Sequence, residues 1–481
     1  YTQDSYIKTQ DLGDDLKNGV NRRNQGLAGR IAYNWNYRYF VDFNFGYNGS
    51  ENFAPENRYG FFPSAGLGWV VSNEKFFSET MKKAVSNLKL KATYGLVGND
   101  AISSNRFYYL SSVNLNDGGK GHVWGEDFGN SYNGYNINSY ANPAVTWEVA
   151  EKANFGMELG LFNNVNIQVD YFTENRTNIY MQRDYIPASM GLTAPIASNI
   201  GKAESHGIDG SVDYKVSVNK DLWITSRVNF TYATNQIIEN GEPQYPYPYM
   251  SSIGQPMNQP RGLVAERLFI DEQDVLNSPV QYNQMGSYMA GDIKYVDVNE
   301  DGVVDANDMA VIGDPNPDFT YGFQTRLEWK NISLSASFTG VYGNDILNTN
   351  IRYEQTPSRQ AGNLRKDAYY NAWTPENRSN LYPSSTSNVK GVVYDRYVED
   401  GSYLRCSDIT LNYILPKAWM TKIGFQNTSI FASVKNAFVI TNYSGYDPEV
   451  NSFAFDGLRR GVDMNAFPNM RSFVFGLNVT F

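Results

Sequence analysis

The sequence predicts an all-β fold, a membrane-spanning antiparallel β-barrel, and three observations carry that prediction. Apolar and polar residues alternate with period two in run after run. Each run is about 9 to 13 residues, and a tilted strand needs about 9 to 11 to cross the hydrocarbon layer. The connections between runs are alternately short and long, as periplasmic turns and extracellular loops are.

The runs follow in order. Leu27, Gly29, Ile31, Tyr33 and Trp35 share one face, with Ala28, Arg30, Ala32 and Asn34 on the other. After a tight turn, Val41, Phe43, Phe45 and Tyr47 alternate with Asp42, Asn44, Gly46 and Asn48. Leu88, Leu90, Ala92, Tyr94 and Leu96 alternate with Lys89, Lys91, Thr93 and Gly95. Phe155, Met157, Leu159 and Leu161 precede Val165, Ile167, Val169 and Tyr171, which oppose Asn166, Gln168 and Asp170. Leu222, Ile224, Val228, Phe230 and Tyr232 form another face. Phe319, Tyr321, Phe323, Leu327 and Trp329 turn at Lys330-Asn331 into Ile332, Leu334, Ala336 and Phe338. The last run is Phe473, Phe475, Leu477, Val479 and Phe481. Tyr33, Trp35, Tyr47, Tyr94 and Trp329 stand near run ends, where interfacial girdles are expected.

Short turns are expected near 36–38, 162–164 and 330–331, with a longer one near 72–87. Long loops near 98–146, 234–318, 341–402 and 439–471 are rich in Gly, Asn, Tyr and Pro. The runs amount to about thirteen spanning strands, whereas bacterial single-chain barrels have even numbers so that first and last strands pair. An open edge cannot stand in lipid with its backbone unsatisfied. The expectation is therefore a barrel portion whose N-terminal part lies outside this sequence, with a miscounted strand as the alternative.

Composition agrees. Tyr (36), Phe (27) and Trp (8) make 15% of 481 residues while the mean hydropathy is negative. Such a mixture suits a wall of which every second residue faces lipid. There is no run of 18 apolar residues, so a helical span is excluded. A net charge of −10 argues against nucleic acid. A lone cysteine, Cys406, excludes an intrachain disulfide framework and a thiolate cluster. No leader pattern opens the chain at Tyr1, so a signal peptide is expected to be removed or upstream.

The sharpest local motif is Asp297–Asp308, DVNEDGVVDAND. Calcium takes six to eight oxygens, and a twelve-residue loop supplies them from positions 1, 3, 5, 7, 9 and 12 with Gly at 6. Those positions are Asp297, Asn299, Asp301, the Val303 carbonyl, Asp305 and Asp308, with Gly302 at the turn. Asp at position 12 reaches less far than Glu, which predicts weaker binding. The alternative is an Asx-rich loop that caps itself. A structural calcium, stiffening an extracellular loop, is the expectation.

No catalytic constellation is present. His206 alternates into a strand with Ile208, Gly210, Val212 and Tyr214, and His122 is expected in a Gly-rich loop, Gly118–His122, without the context of a phosphate loop. Gln244–Tyr249 and Tyr132–Asn138 combine aromatic faces with amide donors, which suits sugars, peptides or simple loop packing equally. The aromatic-ended last strand, Ser472–Phe481, fits a terminal strand and a barrel-assembly signal.

Several segments resemble the SusC/RagA family of TonB-dependent outer-membrane transporters. They are Arg58–Ser64, Leu88–Gly95 with Gly98-Asn99, Asn199–Gly201, Gly291–Gly302 followed by Ile312–Pro317, Ser402–Arg405 and Gly445–Val450. They keep the family's order from about residue 27 onward. Glu300 stands where the family usually has Gly, and Asp314 where it often has Asn.

The resemblance implies a 22-stranded barrel in the bacterial outer membrane with an N-terminal plug energised by the TonB complex. It also implies a SusD-like surface lipoprotein as a lid, with glycans or oligopeptides as imported substrates. On that basis residues 1–481 are expected to be the C-terminal part of such a barrel, about 13 of 22 strands. Residues 292–318 would form the extracellular loop with the calcium-type motif, and 472–481 the terminal strand. The plug and first strands would lie outside the chain. The inner wall is expected to carry Arg30, Asn34, Asp42, Lys89, Lys91 and Asp170. A surface adhesion barrel and a passive porin-like channel are the alternatives, and an upstream plug distinguishes the importer from both.

Overall fold

A computed structural model describes residues 2–4, 22–103, 106–281, 288–354, 365–378, 380–384, 395–453 and 459–480. Of residues 2–4, 22, 352–354, 423 and 427 it describes the backbone alone. Phe481, the expected terminal aromatic, lies outside the described residues.

Fourteen strands form the main sheet, and each neighbours the next in chain order. They are β1 Thr2–Asp4, β2 Arg22–Trp35, β3 Tyr39–Ser50, β4 Tyr59–Val70, β5 Val85–Asn99, β6 Glu148–Leu161 and β7 Val165–Gln182. Then come β8 Ala197–Asn219, β9 Leu222–Glu239, β10 Phe319–Trp329, β11 Ile332–Tyr342, β12 Tyr403–Ile414, β13 Asn427–Thr441 and β14 Ser472–Thr480. Thirteen are long and β1 spans three residues. The short edge strand was invisible to periodicity because three residues carry no alternation to read.

Contacts divide the chain into two compact units, one of 1–163, 168–208 and 235–244, the other of 164–167, 209–234 and 245–481. In the first, Leu27 pairs with Tyr47, Ile31 with Phe43, Val41 with Leu67 and Ala92 with Phe155. These residues point to one face, because period-two side chains that pair in register stay on one side of the sheet. Leu27, Ile31, Val41, Leu67 and Phe155 are all exposed. In the second unit Phe323 pairs with Phe338, Leu327 with Leu334, Leu334 with Leu411 and Ile430 with Leu477. There too Leu327, Leu334, Leu411, Ile430 and Leu477 are exposed. A soluble sheet would bury such a face; a barrel wall presents it to lipid. The girdle residues Tyr33, Trp35, Tyr47, Tyr94 and Trp329 are exposed as well. Trp35 stacks on Tyr39 at 5.6 Å and Tyr47 on Tyr59 at 5.3 Å.

The turns explain the register. Asn36 and Tyr37 both have φ of 53°, and Arg38 N–H donates to the Trp35 carbonyl at 3.0 Å. Two left-handed residues in a row make the turn whose twist matches paired strands. Phe162 and Asn163 repeat this at φ 53° and 57°. In β12 Ser407 is a bulge: the register shifts between Cys406 and Asp408, and Ser407 Oγ donates to the Ser337 carbonyl at 3.0 Å.

Among the described residues the long connections hold short strands and helices of their own, which alters one expectation. His122 lies in a strand, Ser112–Trp124, hairpinned to Asn130–Ser139. The glycines around it are absorbed by register shifts in that hairpin, and His122 packs edge-on against Trp124 at 4.8 Å. His206 lies in β8 as expected. The buried apolar clusters sit in or beside loops. One gathers Phe53, Tyr108, Val145 and Trp147; the other gathers Leu263, Leu268, Ile293, Tyr295, Val304, Trp373 and Tyr397 with Ala290. The sheet gives its apolar side chains to lipid, so the loops assemble cores of their own.

Candidate functional site

The polar face of the sheet is a network of cross-strand ion pairs. Arg30 Nε donates to both carboxylate oxygens of Asp42, at 3.2 and 3.0 Å, and Asn44 Nδ2 donates to Asp42 at 2.7 Å. Lys89 pairs with Glu158 at 3.0 Å and Lys91 with Asp170 at 2.9 Å. Lys152 pairs with Glu174 at 3.0 Å. Of the six residues expected on the inner wall, five therefore meet opposite charges. Asn34 does something else: its side-chain oxygen accepts from Tyr37 N–H at 2.9 Å and closes the turn. In the second unit Lys435 pairs across strands with Asp408 at 2.5 Å, Asp408 accepts from Ser433 Oγ at 2.8 Å, and Arg326 pairs with Glu328 along β10 at 2.7 Å. Such a face suits water and polar solutes, not lipid.

The segments that carry the family resemblance meet as joints between loops and strands. Trp147 Nε1 donates to the Arg58 carbonyl at 3.2 Å, and its ring stands 5.2 Å from Phe62. Asn99 Nδ2 donates to Glu148 at 3.0 Å, and Glu148 also accepts from Tyr180 N–H at 3.0 Å. The Asn199 amide donates to the carbonyls of Thr146 and Asn178, at 2.9 and 2.8 Å, while its oxygen accepts from Thr146 N–H. Ser402–Arg405 meets Gly445–Val450: Arg405 pairs with Asp447 at 2.5 Å and Glu449 at 2.7 Å, and Tyr403 donates to Glu449 at 2.7 Å. Arg405 and Asp447 are only 6% and 7% exposed, so the pair is desolvated and must hold together. Ile312–Pro317 joins a three-stranded loop sheet of Asp345–Asn348, Val398–Asp400 and Val462–Asp463. Asp345 accepts from Asp314 N–H at 2.8 Å, and Asp345 N–H donates to the Asp314 carbonyl at 2.6 Å. Burial, with the charges of Asp314 and Asp400 adding to it, pushes the Asp345 carboxyl up.

In the calcium-type loop, Gly302 at φ 88° and Glu300 at φ 58° make the sharp bend. Asp297 accepts from the N–H groups of Gly302 at 2.8 Å and Asp301 at 3.3 Å. Asn299 donates its amide to Asp301 at 2.9 Å. Asp301 accepts from Val303 N–H at 2.9 Å, and Asp305 from Asn307 N–H at 2.7 Å. Asp308 is fully buried and accepts from Val298 and Asp305 N–H, both at 2.7 Å, and from Asn299 N–H at 3.3 Å. Val303 pairs in parallel with Val280. The four aspartates Asp297, Asp301, Asp305 and Asp308 thus serve the loop's own backbone. Among the described residues, no group of three or more His, Cys, Asp or Glu is gathered as a metal set. Tyr249 donates to the Asn307 carbonyl at 2.6 Å and stacks on Tyr247 at 5.5 Å, so this aromatic stretch packs the loop. Burial and the nearby acids, Asp308 first, push the Tyr249 hydroxyl up.

Spacing did not foretell a cavity of about 780 Å³ between the 100–147 connection, the 183–196 connection and the ends of β7 and β8. Its walls include Arg106, Arg183, Tyr108, Tyr140 and Tyr180. Nothing in the alternation marks these residues, because they are brought together across about eighty positions of chain.

Comparison with known proteins places this geometry. The family model described as TonB dependent receptor-like, beta-barrel matches residues 1–320. TonB-dependent receptor P3 of Formosa agariphila is 28% identical over 480 residues, covering 95% of this chain and 45% of its own length. TonB-dependent receptor SusC of Bacteroides thetaiotaomicron is 26% identical over 463 residues, covering 94% of this chain and 43% of its own. A solved structure of the RagAB peptide importer in its closed-closed state superposes with a TM-score of 0.74 at 22% identity, covering 96% of this chain and 48% of that one. The chain thus spans about half the length of the curated relatives it matches.

Proposed function

Because the chain belongs to the TonB-dependent receptor-like β-barrel family of the outer membrane, we propose that it walls the lumen of a TonB-dependent importer of nutrient oligomers. The observation that carries this reading is the inversion of the sheet's two faces. Large apolar residues such as Leu27, Ile31 and Leu477 are exposed on one face. Ion-paired residues such as Arg30, Asp42, Lys91 and Asp170 line the other. A wall of that kind separates lipid from an aqueous path. Coupling to the TonB complex, a plug and the remaining strands belong to the proposal through the family. So does a SusD-like lipoprotein docked on the loop side. Glycans and oligopeptides are the substrate classes, and the RagAB protein whose structure superposes on this chain is a peptide importer.

The test is uptake by cells that carry or lack the parent gene. Labelled oligosaccharides and oligopeptides are supplied with and without a proton-motive force. Loss of energised uptake on deletion supports the importer. Uptake that persists without the proton-motive force points to a passive channel, and unchanged uptake with lost surface attachment points to an adhesin.

Within that importer, the loop at 297–308 is proposed to take calcium weakly. Its twelve-residue spacing supports the site, and the Asp308 hydrogen bonds set the cost. Asp308 must release N–H groups to turn toward an ion, which sets affinity in the roughly 10⁻⁴ to 10⁻³ M range of extracellular modules. Calcium titration followed by amide exchange of residues 298–308 checks this. Protection that rises with calcium and is lost in Asp301→Ala is the expected outcome; protection indifferent to calcium would sink the proposal.

A further inference from the structure

We propose that a notch in the polar face of the wall, between β2, β3, β4 and β5, seats an apolar side chain from a segment of the parent protein that lies outside these 481 residues. The proposal deepens the importer reading and rests on it for the presence of such a segment inside the lumen. The notch has a volume of about 360 Å³, and Ala32, Phe40, Gly66 and Gly68 make its floor. Register puts these four on the face that carries Asp42 and Lys91. Ala32 pairs with Asp42, Asp42 with Gly66, Phe40 with Gly68 and Gly68 with Lys91.

The two glycines have no local reason to be glycine. Glycine weakens a strand interior, and within a strand it often marks the close approach of a ligand or another backbone. Elsewhere on this face the close approach is internal: a Cβ on Gly60 would collide with the Phe62 ring, and one on Gly95 with Ser64. A Cβ on Gly66 would meet Thr93 Cγ2 first, at 3.4 Å. One on Gly68 would meet the Phe40 Cβ at 3.4 Å and Lys89 at 3.8 Å. These are ordinary contacts, and neither glycine has a positive φ. The wall itself would accept a side chain at both positions. The space left open therefore belongs to an occupant that approaches from the polar side.

The rim says which occupant fits. Arg30 is paired with Asp42, Lys89 with Glu158 at 3.0 Å and Lys91 with Asp170 at 2.9 Å. Those charges are compensated, so the notch is not a seat for an ion. What stands open is the partly buried Phe40 beside the glycine floor, an apolar patch among ion pairs. An apolar side chain removes that patch from water, and a hydroxylated sugar does so less well. Position favours the protein's own chain. Phe40 is the second residue of β3 and Gly68 the third from the end of β4. At about 3.3 Å per residue the notch thus lies within about 10 Å of the short-turn rim, away from the long loops that would meet cargo first. The chain spans 45% and 43% of the length of two curated relatives, which leaves ample polypeptide to supply the segment. A permanent occupant also matches a permanent gap in the wall.

The experiment uses the full-length parent protein in its own cells. Photoreactive p-benzoylphenylalanine is placed at Thr93, which is exposed and pairs with Gly66. Products are mapped by mass spectrometry with no oligomer supplied. The expected product is an internal cross-link to a segment outside the present residues. Gly68→Met, which fills the notch, is expected to lower its yield roughly tenfold, the size of an overpacking penalty, and Gly68→Ala by less. If Gly68→Met fails to give the heat-modifiable folded form, Gly66→Ser takes its place with a smaller expected loss. A cross-link to a separate polypeptide, a cross-link formed only when oligomer is supplied, no cross-link from an assembled barrel, or a yield unchanged in the glycine variants overturns the seat. Energised uptake is measured in parallel. The cross-link without uptake removes the importer reading and leaves the seat, whereas uptake with no cross-link removes the seat and leaves the importer.

Discussion

Single residues decide how loops join the wall. A Cβ on Gly98 would collide with the Phe62 ring, which itself packs on Trp147. Gly98→Ala is therefore expected to cost about 1–3 kcal/mol by overpacking, read as a lower urea midpoint of the assembled protein. Phe62→Leu should restore part of it; a neutral Gly98→Ala would refute the contact. Asp345 carries the opposite lesson about charge. Its carboxyl is pushed up, so its favourable contribution is complete below the ordinary carboxylate range and is lost as pH rises through the raised value. Asp345→Asn keeps an acceptor for Asp314 N–H and removes the desolvated charge. Amide exchange at Leu347, whose N–H donates to the Gly461 carbonyl at 2.7 Å, should slow at neutral pH in this variant and match the parent in acid. Faster exchange at neutral pH would contradict the assignment. Gly98 and the Asp314 segment were legible as motifs, but not their partners, because ring and carboxylate contacts are set by the fold and leave no period in the sequence.

Elements show where pattern reading succeeds and where it fails. β2, β3, β10 and β11 were readable because each holds a period-two face and adjoins a turn with a left-handed φ, and β5 and β14 were readable from the period-two face alone. The Ser112–Trp124 hairpin was not, since its glycines and polar residues hide the alternation behind three register shifts. Likewise the stretch around Asp447, after β13, is held by a distant pair rather than by local signals. Asp447 joins Arg405 in β12 and accepts from Glu449 N–H at 2.9 Å and Asn469 N–H at 3.3 Å. Asp447→Ala leaves a buried guanidinium with Glu449 as its remaining acid, and about 3 kcal/mol is the expected loss, the low end for a broken buried pair. Limited proteolysis should then cut within 442–471 while the strands stay protected. An uncut loop would mean that Glu449 alone suffices.

For the molecule as a whole, the two faces of the wall obey different solvents. Ile31 is 69% exposed on the apolar face, so Ile31→Arg is expected to cost about 2–4 kcal/mol if it lies near the bilayer midplane. The neighbouring Ala32→Ser, on the polar face, should cost less than about 1 kcal/mol. The fraction of protein reaching the heat-modifiable form in outer-membrane vesicles measures both, and equal assembly of the two variants would reject the lipid-facing assignment.

By itself the sequence determined the β class, the identity of the lipid face, the alternation of short and long connections and both residues of two inner-wall ion pairs, Arg30–Asp42 and Lys91–Asp170. It could do so because a strand repeats every two residues, and a membrane demands that one of the two be apolar. Only the tertiary structure decided which charges pair, which loops carry cores, that the four aspartates at 297–308 serve their own backbone, and that Arg106 and Arg183 share a cavity. Those depend on residues far apart in the chain meeting at distances of a few ångströms, and no local pattern encodes such meetings.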